Sequence, residues 1–352
     1  MKTVPWIAAV ALACLALAPA SRLAAQSAAN NHPHAPDAEP APATTSRPQS
    51  VAPPASGERI VLLGNGLAER DVYFGRLETE LHLRYPNHQL VVRNMGRPGD
   101  TPGFRPHPAR VSQWAFPGAD KFHPELKSHY GKGFFPTPDQ WLTHLKADTL
   151  LAFFGYNESF DGPQRVDNFE AELEAWVRHT LSKAYNGTAA PRVVLVSPIA
   201  FENLSAQRDL PDGSRENTRI ALYTEAMRRV ASRHGLTFVD FFDATRRRAS
   251  KGRPLTINGF APTESGYAEL AVVLADAAFG KQRRQSPASA DLVNAAVREK
   301  DYFWNNDYNL VNGVHTHGQR YNPFGPQNYP DEVRKTREMT ALRDRLVHDV
   351  AS

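Results

Sequence analysis

Glycine and asparagine residues that could donate hydrogen bonds to a ligand stand in four short loops of this sequence. The loops are residues 64–66, 94–96, 155–157 and 258–261. Backbone N–H groups of glycine turns and the side-chain amide of asparagine are both donors. Each loop alone is a weak signal, but their order along the chain and the placement of the first three after hydrophobic runs indicate one shared site.

The elements that must position these loops are short strands. Continuous hydrophobic runs are typical of strands buried on both faces, and here they occur at residues 60–63, 90–92, 150–154, 193–196 and 238–239. Helical patterns separate them at residues 70–85, 167–185 and 216–234. This alternation predicts a parallel sheet covered by helices on both faces. Ligands bind such sheets beyond the carboxyl ends of the strands.

Two regions depart from the alternation. Residues 102–137 form a proline-, histidine- and aromatic-rich insertion, for which we expect an ordered flap over the edge of the sheet. Its aromatic residues are Trp114, Phe116, Phe122, Phe134 and Phe135. Residues 283–352 are predicted to form a helical C-terminal extension that packs on the domain of residues 58–282.

The N-terminal residues predict export. Lys2 precedes a hydrophobic run at residues 7–17, which is short for a bilayer span, and small residues follow it. We therefore expect a signal peptide at residues 1–25, with an uncleaved membrane anchor as the alternative. Residues 26–57 are rich in alanine and proline, which predicts a disordered linker. The mature chain would then be periplasmic or extracellular and would hold no transmembrane segment.

Composition excludes several classes of function. Cys14 is the only cysteine and lies within the predicted signal peptide, so disulfides, thiolate metal sites and a cysteine nucleophile are not expected. The formal net charge of +4 favours no particular partner. No aromatic-and-basic segment typical of nucleic-acid binding is present, so no nucleic-acid partner is predicted. We also predict no cofactor and no metal.

The four loops together resemble the sequence blocks of the SGNH (GDSL-type) hydrolases. That family has Gly-Asp-Ser-Leu after the first strand, Asn-x-Gly after the second, Gly-x-Asn-Asp after the third, and a late Asp-x-x-His. The similarity covers about residues 59–280 and implies a three-layer α/β/α fold with a flavodoxin-like parallel sheet of five strands. A bacterial subgroup with Gly-x-Asn-Glu-Ser-Phe and a later Pro-Phe-Gly is also similar, here at residues 155–160 and 323–325.

The resemblance implies acyl transfer by a serine, a histidine base and an orienting aspartate, with an oxyanion held by backbone and asparagine N–H donors. Gly96 and Asn157 match two of these donors. Gly66 stands where the serine is expected, Asn258 where the aspartate is expected, and Ala261 where the histidine is expected. Neither glycine nor alanine has a side-chain atom that attacks or accepts a proton.

Several other residues are alternatives for the missing chemistry. His315 could supply a substitute base if the extension folds over the strand ends, and Glu158 or Asp161 could activate water. Ser159 is a weaker candidate for a nucleophile. His315 and His317 have the spacing of two metal ligands on one strand face, but a third ligand is missing.

Three functions remain open at this point. The first is that of an esterase-like hydrolase acting on an O-acylated substrate, with an acylated carbohydrate as the expected ligand. The second is a non-catalytic protein that binds a glycan or acyl group, with the aromatic residues of the insertion as stacking platforms. The third is a structural subunit of the cell envelope.

Overall fold

A computed structural model of the protein describes residues 38–126, 135–248, 253–309 and 329–352. It has seven strands: β1 (Ala41–Pro42), β2 (Arg59–Gly64), β3 (Val91–Asn94), β4 (Thr149–Phe153), β5 (Lys183–Ala184), β6 (Arg192–Val196) and β7 (Thr237–Val239). Five of them form a parallel sheet in the order β3-β2-β4-β6-β7. When these five strands are numbered 1 to 5 in chain order, their order in the sheet is 2-1-3-4-5, as in flavodoxin-like folds. This order confirms the prediction.

The helices connect and cover these strands. They are α1 (Gly66–Glu69), α2 (Arg76–Arg84), α3 (Pro138–Leu145), α4 (Tyr156–Ser159), α5 (Val166–Leu181), α6 (Ser214–His234), α7 (Phe241–Arg246), α8 (Glu264–Phe279), α9 (Ala290–Tyr308) and α10 (Tyr329–Ala351). Short 3-10 turns lie at Arg70–Tyr73, Pro86–His88, Ala119–Phe122 and Pro163–Arg165. Within the described residues, no helix is long and hydrophobic enough to span a bilayer.

Alternate residues of the strands face two separate cores. Val61 and Leu63 of β2 pack toward α3, α5 and α6, while Ile60 and Leu62 pack toward α1, α2 and α8. Successive side chains of a strand point to opposite faces, so a strand buried on both sides needs hydrophobic residues throughout. The three-layer α/β/α architecture is therefore confirmed.

The helix predicted at residues 70–85 is divided into two parts. Gly75 has a left-handed φ of 62° and separates the 3-10 turn Arg70–Tyr73 from α2. The buried carboxylate of Asp71 accepts from the backbone N–H groups of Arg76 and Leu77 at 3.1 Å each. This carboxylate thereby satisfies donors that the first turn of a helix leaves unpaired, and the division costs few hydrogen bonds.

Residues 38–57 differ from the predicted disordered linker. Ala41–Pro42 pairs antiparallel with Lys183–Ala184. The side chain of Gln49 accepts from Val193 N at 2.8 Å and donates to Pro191 O at 3.1 Å. These contacts tie the segment along the domain and correct the linker prediction for these residues. The signal-peptide prediction and residues 26–37 lie outside the described residues.

The aromatic residues of the insertion are largely core residues. Phe116, Phe122 and Phe135 are buried in the cluster formed with α3 and α5. Trp114 is half-buried and packs edge to face against Phe104. The prediction that these aromatics serve a glycan as stacking platforms is therefore wrong for the three buried phenylalanines. Phe134 lies outside the described residues.

The C-terminal extension covers the β3 edge of the sheet. Helix α9 packs on α2, and α10 packs on α9. Trp304 donates from Nε1 to the carbonyl oxygen of Asn94 at the end of β3, at 2.7 Å. Lys300 is fully buried and pairs with Glu78 at 2.5 Å and with Asp301 at 2.6 Å. The extension is thus joined to the domain by both a hydrophobic interface and buried ion pairs.

Candidate functional site

The loop after β2 requires one glycine and leaves room at the next. Gly64 has φ of 115°, and a Cβ there would lie 2.0 Å from Phe153 O. Asn65 caps α1 by accepting from Leu67 N at 3.1 Å. Gly66 begins α1 and is half-buried, and a Cβ on it would lie 3.8 Å from the Cα of Pro98, which is an ordinary contact. A side chain at position 66 is therefore sterically allowed.

The loop after β3 uses its donors internally. Gly96 is buried, and its N–H donates to Asn94 Oδ1 at 2.9 Å. The same asparagine donates from Nδ2 to Ala68 O in α1 at 2.7 Å. A Cβ on Gly96 would lie only 2.4 Å from Glu69 N. Gly96 is thus a close-packing position against α1, and its N–H is engaged within its own loop.

The loop after β4 is joined to the loop after β3 through Asn157. Its Nδ2 donates to Pro98 O at 2.8 Å and to Asp100 O at 3.1 Å. One amide nitrogen carries two hydrogens, so both are engaged. Asn157 therefore fixes the Pro98–Asp100 segment beside Gly66, and three of the predicted site positions meet around this segment.

Glu158 and Ser159 lie behind this surface. Glu158 is buried and accepts from Gly155 N at 2.8 Å through Oε2, while its Oε1 has no partner among the described residues. Burial, with a smaller contribution from the charge of Glu172, raises the pKa of Glu158 to about 8. Ser159 is also buried and donates to Tyr156 O at 2.6 Å. Both side chains are therefore covered by the protein rather than exposed beside Asn157.

The loop at residues 255–261 is held by a single carboxylate. Glu202 accepts from Leu255 N at 2.8 Å and from the N–H and hydroxyl of Thr256, both at 2.7 Å. Asn258 is exposed, and its Oδ1 accepts from Ala261 N at 2.7 Å. The asparagine at the expected aspartate position therefore acts as a turn-forming residue.

Two aromatic rings connect this loop to the loop after β4. Phe260 stacks on Tyr156, with ring centroids 3.4 Å apart and planes inclined by 8°. Tyr156 directly precedes Asn157, so the stack brings residues 258–261 against the Asn157 loop. The ring of Phe160 is perpendicular to that of Tyr156, with centroids 5.2 Å apart. No role was predicted for these aromatics, although Phe160 ends the Gly-x-Asn-Glu-Ser-Phe motif and Tyr156 and Phe260 lie within the motif loops.

The last residue of the Pro98–Asp100 segment, Asp100, lies in a buried cluster of charged residues. Burial raises the pKa of Asp100 to about 7, although the charges of Arg105, Arg110 and Arg97 oppose the rise. Arg97 lies over the ring of Tyr308 at 5.3 Å and donates to the carbonyl oxygen of that residue at 3.4 Å. The end of α9 thus reaches the segment that Asn157 fixes.

The remaining candidates are not assembled into the site by the described residues. Asp161 is exposed beyond α4. His315 and His317 lie outside the described residues. No three histidine, cysteine, aspartate or glutamate side chains in the described ranges are grouped as metal ligands would be. The absence of a metal or cofactor therefore stays a prediction.

Comparison with protein families identifies the class of protein. The GDSL-like Lipase/Acylhydrolase family matches residues 63–269, which is more than half of the 352-residue chain and includes all four loops. The chain therefore belongs to the GDSL-like lipase/acylhydrolase family. No curated protein matches it.

Several solved structures are similar at low identity. An acetylxylan esterase from Geobacillus stearothermophilus is 16% identical, with 66% of this chain and 98% of that chain covered and a TM-score of 0.44. A GDSL-like lipase from Parabacteroides merdae is 15% identical, with 65% and 98% covered and a TM-score of 0.45. A gut microbial diltiazem-metabolizing enzyme is 18% identical, with 66% and 49% covered and a TM-score of 0.45, so this chain spans about half of that protein.

Proposed function

We propose that this protein is an exported, non-catalytic member of the GDSL-like family that binds an O-acylated carbohydrate. The proposal rests on the residues that occupy the positions where the family resemblance expects a catalytic triad. Gly66 offers no nucleophile, Ala261 offers no base, and the Oδ1 of Asn258 is used by Ala261 N. Removal of both nucleophile and base leaves only the modest acceleration that binding and oxyanion contacts supply.

The hydrogen-bond donors support the same interpretation. Oxyanion stabilisation needs donors that are aimed at the position where negative charge develops. Here the Gly96 N–H is bound by Asn94, and both amide hydrogens of Asn157 are bound by backbone carbonyls. A ligand oxygen would have to displace Pro98 or Asp100 from Asn157. This arrangement favours a site that must rearrange before a ligand binds, rather than a site that is preorganised for catalysis.

The ligand class follows from the family and from the surface beside Asn157. The family is one of acylhydrolases, so an acyl ester is the ligand we expect at the Asn157 site. Phe160 and Phe260 add aromatic surface through their contacts with Tyr156, the neighbour of Asn157, and aromatic side chains with a few polar groups are typical of ligand sites. The hydrophobic run after Lys2 supports export.

Calorimetric titration with acetylated xylo-oligosaccharides tests the binding function. We expect saturable binding that Phe260→Ala weakens by about tenfold, because one ring at the centre of a small site contributes about 1–2 kcal/mol. Phe238, a half-buried residue of the edge strand β7, packs against the hydrophobic core, so Phe238→Ala is the control and should leave the affinity unchanged. Absence of binding to the unaltered protein would contradict the proposed function.

Hydrolysis with a base from the extension is the second candidate. Arg97 donates to the carbonyl oxygen of Tyr308, which places the end of α9 at the site, and His315 follows α9 in the sequence. This contact favours the second candidate. In this case, the protein would hydrolyse p-nitrophenyl acetate, and His315→Ala would abolish the activity. Our first proposal predicts no hydrolysis that depends on either His315 or Asn157.

A further inference from the structure

A cavity lies beside Tyr156, the residue that precedes Asn157. Its volume is about 230 Å³, and it is lined by residues of α4 and of the first turns of α6: Tyr156, Ser159, Phe160, Arg215, Glu216, Arg219 and Ile220. Pockets for drug-sized ligands are about 300–1,000 Å³, so this cavity suits one small ring. Tyr156 forms part of its wall and also stacks on Phe260, so the cavity and the Asn157 site share this residue.

Two arginines in this cavity have no carboxylate partner. Among the described residues, neither Arg215 nor Arg219 forms an ion pair or a side-chain hydrogen bond, and Glu216 is the one acidic residue in the wall. The other end of the same helix differs, because Arg229 and Arg233 both pair with Glu170 there. The unpaired guanidinium groups of α6 are therefore those at the cavity.

The cavity also presents a free aromatic ring. Phe160 is 61% exposed, which is unusual for a phenylalanine. Its ring is perpendicular to that of Tyr156, with centroids 5.2 Å apart, and the exposed part of the ring can contact a ligand. Arginine forks bind carboxylates with two parallel hydrogen bonds. An apolar ring face next to unpaired arginines matches a ring that carries a carboxylate.

We infer that this cavity binds a ring-bearing carboxylate, namely a hexuronate unit of the carbohydrate proposed to bind at the Asn157 site. The ring of the sugar packs on Phe160, and its carboxylate is bound by Arg215 and Arg219. The inference rests on the proposed function of the Asn157 site, and it adds the acidic character of the ligand. An aromatic acid has the same chemistry, and the experiment separates the two.

The experiment measures binding of D-glucuronate, methyl glucoside and benzoate to the full-length protein by NMR or calorimetry. We expect glucuronate to bind and the neutral glucoside not to bind. Arg219→Ala should weaken glucuronate binding at least tenfold, and Phe160→Ala at least threefold. Arg228→Ala is the matched control on the same helix, because Arg228 pairs with Asp240 and Glu225 away from the cavity. It should leave the affinity unchanged.

Three results would overturn the inference. These are equal affinity for glucuronate and methyl glucoside, an affinity unaffected by Arg219→Ala, and tighter binding of benzoate than of glucuronate. None of these measurements depends on the binding or hydrolysis of an ester at the Asn157 site. Binding of acetylated neutral xylo-oligosaccharides without glucuronate binding would refute the hexuronate cavity and leave the proposed function standing.

Discussion

Asn157 donates an amide hydrogen to the backbone carbonyl oxygen of Pro98 at 2.8 Å. The residue that the family resemblance assigns to oxyanion binding is thus a structural tether for the segment over Gly66. The second amide hydrogen goes to Asp100 O at 3.1 Å. Ligand binding at this position and the order of the Pro98–Asp100 segment are therefore coupled.

Replacement of Asn157 by alanine should loosen this segment. Loss of two partly exposed hydrogen bonds is expected to reduce the free energy of unfolding by about 1–2 kcal/mol, measured by urea denaturation. Backbone hydrogen exchange at residues 99 and 100 should accelerate in the same variant. Asn203→Ala is the control, because among the described residues the side chain of Asn203 accepts only from nearby Ser205 on the surface. Equal destabilisation by both changes would contradict a tethering role.

Replacement by serine should have a small effect on stability at Gly66 and a large effect at Gly96. At Gly66 a Cβ would have its nearest contact at 3.8 Å, so Gly66→Ser should change stability by less than about 1 kcal/mol. At Gly96 a Cβ would lie 2.4 Å from the backbone of α1, so Gly96→Ser should cost about 3 kcal/mol or more. Thermal or urea unfolding measures both. Gly66→Ser alone should not create esterase activity, because no base accompanies it.

Glu158 should make stability depend on pH. Burial raises its pKa from 4.5 to about 8, so the folded state holds the proton more tightly than the unfolded state does. The contribution of protonated Glu158 to the free energy of unfolding is complete below about pH 4.5 and is lost as the pH rises through 8. Glu158→Gln should therefore gain stability relative to the unaltered protein between pH 5 and pH 8.5, by up to about 4 kcal/mol.

The measurement for Glu158 is a series of urea unfolding curves at intervals across that pH range. The difference between variant and unaltered protein is the quantity of interest, because it cancels the titration of all other groups. A difference that is constant from pH 5 to pH 8.5 would show that Glu158 keeps an ordinary pKa in the folded protein.

Lys300 should be essential to the attachment of the extension. Its ammonium group is fully buried between Glu78 and Asp301. Lys300→Met leaves buried carboxylates without a counter-charge and should destabilise the protein by about 3–5 kcal/mol. The double variant Lys300→Met with Glu78→Gln should recover part of that loss. A double variant no more stable than the single one would argue against a charge-based cost.

The fold was predictable because its signal is local. Residues 60–63 and 193–196 are continuous hydrophobic runs, and the sheet contains both as strands buried on each face. The order of the strands followed from the family resemblance. Residues 38–57 were mispredicted because their attachment depends on distant partners, such as Gln49 with Val193, that leave no periodic pattern in the sequence.

That the candidate positions lie together was predictable, but their contacts were not. The motif order located Gly66, Gly96 and Asn157, which the structure brings together around Pro98. That the donors of Gly96 and Asn157 are already bound depends on the path of the backbone carbonyls, and side-chain identity does not reveal this path. The buried state of Glu158 was hidden for the same reason, because adjacent residues of a short helix can face either the surface or the core.

The most direct test of the account is acetate release from acetylated xylo-oligosaccharides by the purified protein. Release is compared with that by Asn157→Ala under conditions where calorimetry shows the unaltered protein to be saturated. We expect the unaltered protein to bind the ligand and to release no more acetate than the variant does. Catalytic release of acetate that Asn157→Ala abolishes would contradict it.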